Sequence, residues 1–155
     1  MKTAFKSYGF LVLLILAPAV VGEDLTFSVL SINMEQQHYL LQIADNRERR
    51  KQGLMFRPTL AADRGMLFVY PKTGDYRIWM KNTLIPLTVI WMNEEAEIVD
   101  IKLLQPCKQP SCPVYSAQQP SRFIIELHQS QHQLYRKGDR FPELGRVFAS
   151  LPAIF

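Results

Sequence analysis

The chain has 155 residues and a formal net charge of +4, from 18 lysines and arginines against 14 acids. That length suits one domain with a real core. So small a basic excess argues against nucleic acid as a ligand.

The chain opens with a targeting pattern. Lys2 and Lys6 precede an unbroken apolar run, Phe10 to Ala17, and Val20-Val21-Gly22 ends in small residues. This predicts a signal peptide over residues 1–22, cut after Gly22. The run is short for a membrane span, and an uncleaved anchor is the alternative. No cysteine precedes Cys107, which rules out a lipid anchor at the cleavage site. Residues 23–155 are then one domain, periplasmic or secreted, without stable membrane insertion and expected as a monomer. Loss of Lys2 and Lys6 trims the basic excess further.

Strand signals dominate the rest of the chain. Leu25, Phe27 and Val29 alternate with Thr26 and Ser28, and Tyr39, Leu41 and Ile43 share one parity after a polar turn. These two runs predict a hairpin. Asp45-Asn46-Arg47-Glu48 has the form of a capping box, with Asp45 as N-cap of a short helix ending near Gly53. The basic stretch Arg47 to Lys51 reads as the solvated face of that helix. Gly65–Tyr70 and Tyr76–Lys81 flank a Pro-Lys-Thr-Gly-Asp turn and are expected to pair antiparallel. Pro86–Asn93 and Ala96–Leu104 form a second hairpin across an acidic turn. A proline-rich loop spans 105–120. Arg122–Leu127 predicts a strand with Phe123, Ile125 and Leu127 inward. His128–Lys137 suits a short helical segment, and Arg146–Ser150 a last strand. About eight short strands and one or two short helices predict a mainly β fold (all-β or α+β), a small closed or nearly closed β barrel.

Cys107 and Cys112 lie in a loop stiffened by Pro106, Pro110 and Pro113. In an oxidising compartment this pair is expected as a structural disulfide. Its C-x4-C spacing differs from the C-x-x-C of redox sites. Two cysteines with no histidine nearby do not complete a zinc site. His128 and His132 have i, i+4 spacing but only glutamines around them, and the methionines are spread over separate elements. No metal and no cofactor is expected.

Several motifs occur together in one order: "GLMFR" (53–57), "GMLFVY" (65–70), "WMKNT" with "IPL" (79–87), "PC" with "CPVY" (106–115), "IIEL" (124–127) and "GD" (138–139). In this combination the chain resembles domain-of-unknown-function family 192 from about Ile43 to Val147. The resemblance implies a small, mainly β, barrel-like domain, often exported in bacteria, and no particular reaction. It marks Arg57, Lys81, Asn82, Thr83, Glu126 and Asp139 as the family's polar positions. Thr88 stands where many members carry aspartate, and Ser130 where a glycine is usual.

Catalytic signatures are absent: no nucleophile elbow, phosphate-binding loop, dinucleotide fingerprint or H-E-x-x-H motif occurs. No serine has a spacing that suits a triad, and Glu126 has no evident second carboxylate. Glu126 stands among Ile124, Ile125 and Leu127, where a charge is costly unless paired, with Arg57 or Lys81 as candidate partners. The residues favour binding over catalysis. The expected site is a cleft lined by Tyr70, Trp79 and Tyr115 with Arg57 and Lys81 at its rim, joined by Asn82, Thr83 and Glu126. Aromatic stacking and cationic selection suit a small anionic or sugar-like ligand. An envelope accessory protein with a protein partner and no such ligand is the alternative, and an envelope-directed hydrolase the third reading.

Overall fold

Alternating apolar residues build the first hairpin of the computed structural model, which describes residues 25–150. The predicted leader and the end of the apolar tail lie outside these. β1 (Val29–Met34) pairs antiparallel with β2 (Gln37–Ala44), with Tyr39 opposite Ile32. Ile32, Met34, Tyr39 and Leu41 face one core. Val29 is exposed, so the even positions of β1 point inward.

The helix α1 (Arg47–Gln52) starts one residue later than the capping box suggests. Asn46 has the extended backbone of an N-cap, and its Oδ1 accepts from Arg49 N at 2.8 Å. Asp45 instead pairs with the Arg49 guanidinium at 2.7 Å. Gly53 ends the helix as expected, with φ +51° and its N–H donating to Arg49 O. Its job is to return the chain: β3 (Arg64–Gly74) runs parallel to β2, and parallel neighbours require such a crossover.

The remaining strands are β4 (Arg77–Trp79), β5 (Leu87–Met92), β6 (Ile98–Leu104), β7 (Val114–Ser116) and β8 (Ser121–His128). Among the described residues, six of the eight strands form one sheet in the order β1-β2-β3-β8-β5-β6. The other two, β4 and β7, form a small antiparallel ribbon. The expected pairing of Gly65–Tyr70 with Tyr76–Lys81 is therefore replaced. β3 takes β2 and β8 as partners, and β4 turns away to meet β7 within the proline-rich loop. The β5–β6 hairpin forms as predicted.

The fold is mainly β, as expected, but its sheets do not close into a barrel. β1 and β6 are the edges of the main sheet and share no ladder, yet Ile32 and Met34 pack in the same cluster as Ile98. That cluster is covered by α2 (Pro142–Ser150), whose Leu144 and Phe148 point inward. A helix replaces the expected last strand because Pro142 suits a first helical turn and Leu144 and Phe148 are one turn apart. Phe148 stacks on Phe123 at 3.5 Å between ring centroids.

The opposite face of the sheet carries a second core of Met66, Phe68, Leu87, Val89, Trp91 and Ile124. Leu54, Ile78 and Met80 lie over it. Two covered faces explain why β5 is apolar at nearly every position and buried throughout. They also decide where Glu126 goes. It shares parity with Ile124, so it points into the second layer, beneath α1 and β4. Among the described residues, no helix is long and apolar enough to cross a membrane.

Candidate functional site

The site lies where the chain leaves α1 and where it leaves β4. Two backbone features fix it. Phe56 and Asn82 both have left-handed backbones, φ 62° and 58°. Phe56 N donates to Asn82 O at 2.8 Å, and the Asn82 amide approaches Met55 Sδ at 3.9 Å. The "GLMFR" and "WMKNT" segments are thus tied together through Asn82.

Beside the link runs an open cleft of about 550 Å³, lined in part by Lys51, Met55, Phe56, Trp79, Lys81 and Asn82. Phe56 is 67% exposed and Trp79 44%. Lys81 Nζ lies 5.4 Å from the Trp79 ring centroid, and its backbone bridges to Cys107. Cys107 and Cys112 form a disulfide with Cα atoms 5.7 Å apart, which agrees with an extracellular location.

Behind the shared wall of Lys51, Gln52, Met55 and Trp79 is a second, smaller cavity of about 60 Å³. Its lining includes Arg50, Leu54, Phe68, Tyr70, Thr83 and Glu126. Glu126 and Thr83 are buried, and neither side chain has a hydrogen-bond partner among the described residues. Burial pushes the Glu126 carboxyl up to about 8, and the nearby Arg57 charge only partly opposes this. Arg57 donates to the Gln42 side chain and makes no ion pair with Glu126 within 4 Å. Its own guanidinium is held below the usual value by desolvation. Tyr70, pushed up to about 12 chiefly by burial, stacks on Tyr76 with ring centroids 3.5 Å apart.

The residues singled out in the sequence are thus divided. Trp79, Lys81 and Asn82 line the cleft; Trp79, Tyr70, Thr83 and Glu126 line the inner cavity. Arg57 touches neither wall but acts on Glu126 through space. Tyr115 lies elsewhere: it pairs with Ile78 on the ribbon and lines a hollow with Pro106 and Cys107. Lys81, the other candidate partner of Glu126, faces the outer cleft. Thr88 is turned to the opposite core, where its hydroxyl donates to Gln129 O at 3.2 Å.

Sequence reasoning missed Arg50, whose neighbours read as a solvated face. It donates to Asp45 O and Val69 O and lies 5.0 Å over the Tyr70 ring. No spacing announces it: Gly53 ends the helix, so the buried Leu54, four residues on, does not extend Arg50's helical face. Phe56 was missed as well, because no pattern announces a left-handed phenylalanine.

No curated protein matches the chain. A crystal structure described as a provisionally assigned transcription regulator from Sinorhizobium meliloti 1021 is similar. It has 26% identity and a TM-score of 0.62, covering 76% of this chain and 95% of that one. A protein of unknown function from Novosphingobium aromaticivorans DSM 12444 has 22% identity and a TM-score of 0.62, covering 74% and 83%. The model of family DUF192, described as an uncharacterized ACR, matches residues 29–141. That match spans both strand systems and every residue of the two cavities except Leu25, and the chain belongs to the DUF192 family.

Proposed function

We propose that this protein is a non-catalytic binding module of the cell envelope, taking a small sugar-like ligand that carries an anionic group. The observation that supports it is the outer cleft. Phe56 and Trp79 present exposed aromatic surface there, beside Lys51, Glu48 and Lys81, whose amine lies over the Trp79 ring. Ring faces stack on the apolar face of a sugar, and the lysines select a carboxylate. The disulfide, the leader pattern and the absence of catalytic motifs support the same reading. The Sinorhizobium relative's description as a regulator is not carried over, because a net charge of +4 gives little grip on nucleic acid.

Titration calorimetry with a panel of neutral and acidic sugars tests the reading. An acidic sugar should bind, and Trp79→Ala or Lys81→Ala should weaken it at least tenfold. No binding across the panel would refute it.

The second reading, an envelope accessory protein without a small ligand, draws on Leu84 and Val114, each 56% exposed close to Trp79 in the sequence or the β4–β7 ribbon. Cross-linking to an envelope protein, with no response to sugars, would favour it. Hydrolysis by paired carboxylates has little support: among the described residues Glu126 is the one acid lining the inner cavity, and Glu48 lines the separate outer cleft.

A further inference from the structure

The inner cavity has a chemistry of its own. Glu126 is 5% exposed and Thr83 6%, and neither side chain finds a hydrogen-bond partner among the described residues. The fully buried orphan atoms among the described residues are Trp91 Nε1, Ser121 Oγ and His132 Nδ1, so the Glu126 and Thr83 oxygens are instead open to the cavity, where a bound group can meet them. The space itself, about 60 Å³, exceeds what one water needs. Its other walls include the apolar Leu54, Phe68 and Ile78 beside the cations Arg50, Lys51 and Arg77. A group that fits must therefore be small, with a polar edge and a methyl-like end.

We infer that this cavity is a subsite for an acylamino group of the ligand, its carbonyl taken by Glu126, its N–H by Thr83 and its methyl by the apolar wall. This rests on the binding reading above and narrows it to an N-acylated amino sugar bearing a carboxylate. Trp79 lines both the cleft and the cavity, so a sugar ring on the indole lies next to both.

Protonation links the two roles. With its carboxyl pushed up to about 8, Glu126 carries an O–H at neutral pH and donates to a carbonyl. A carboxylate cannot donate. The groups facing it are Arg50 and Lys51 of α1, Arg57, Tyr70 of β3 and Arg77 of β4. Binding of a carbonyl should hold the proton on Glu126, and affinity should fall as pH rises past that value.

The test is calorimetry on the disulfide-intact protein with N-acetylmuramic acid, N-acetylglucosamine, glucosamine and muramic acid. N-acetylmuramic acid should bind best, and removal of its acetyl group should weaken binding at least tenfold. Thr83→Val, close to isosteric, should weaken it about tenfold. Between pH 6.5 and pH 9 the wild type should lose affinity for N-acetylmuramic acid. Glu126→Gln keeps an N–H donor and should bind with no such loss. If sugars bind in a Trp79-dependent way but the acetyl group, Thr83→Val and pH all have no effect, the subsite is refuted while the cleft stands. If no sugar binds at all, both ideas fail together.

Discussion

Phe56 N donates to Asn82 O at 2.8 Å across two left-handed backbones, and this bond joins the two segments that build the cleft. Left-handed backbone costs a residue with a Cβ roughly 1–2 kcal/mol, less for asparagine. Phe56 is 67% exposed, so its ring recovers little of that by burial. Phe56→Gly should therefore melt no lower than the wild type, the relief of strain offsetting the added freedom of the unfolded chain. It should still bind acidic sugars several-fold more weakly. Asn82→Ala should lower stability by about 1 kcal/mol, the difference between the two residues in a left-handed backbone. Thermal melts and calorimetry of both variants check this.

Glu126 sets a pH dependence of folding. Its carboxyl titrates near 8 in the fold and at the ordinary 4.5 when unfolded. Between these values the folded chain holds a proton that the unfolded chain releases, so stability falls as pH rises through that window. Below pH 4.5 both states are protonated and the penalty vanishes. Urea midpoints should be higher at pH 5 than at pH 9, and Glu126→Gln should reduce that difference and be the more stable protein at pH 9. An unchanged slope in the variant would show that other groups govern it.

Gly65 allows β3 and β8 to meet where Glu126 is held. A Cβ there would lie 2.4 Å from Glu126 O and 2.7 Å from Leu127 Cδ2. The first is backbone and cannot rotate aside. Gly65→Ala should cost about 3 kcal/mol, seen as a lower denaturant midpoint.

Reducing Cys107–Cys112 opens a loop closed over a separation of only five residues. The chain-entropy model assigns that closure about 2 kcal/mol. Because the Lys81 backbone bridges to Cys107, the loss should extend to ligand binding. Melts with and without a thiol reductant, and the same comparison in Cys107→Ser/Cys112→Ser, check both effects.

Local pattern announces the hairpins well. Tyr39 and Leu41 face the core at the predicted parity, and β5–β6 closes across its acidic turn. Partnership between distant strands is not legible. Gly65–Tyr70 is buried nearly throughout, so its residues carry no alternation to say which neighbours it takes. The last segment reads as a strand when taken from Arg146 onward, because Leu144, the residue that sets a helical period with Phe148, precedes it. Within the site, the polar knot Lys81-Asn82-Thr83 is conspicuous, but not its division. Lys81 and Asn82 face the outer cleft while Thr83 enters the inner cavity, a consequence of the positive φ at Asn82. Arginine-rich stretches read as solvent-facing, and only packing reveals that Arg50 is turned in.

The parallel pairing of β2 with β3 obliges the polypeptide to travel back along the sheet before it can resume, and residues 45–63 are that return journey. The journey supplies Lys51, Met55 and Phe56 and joins the ladder at its end, where Asp63 O accepts from Leu40 N at 2.9 Å. Part of the recognition surface is thus carried off the frame while Trp79 and Glu126 are set by strands, so a relative could exchange this passage and change what binds while keeping those two.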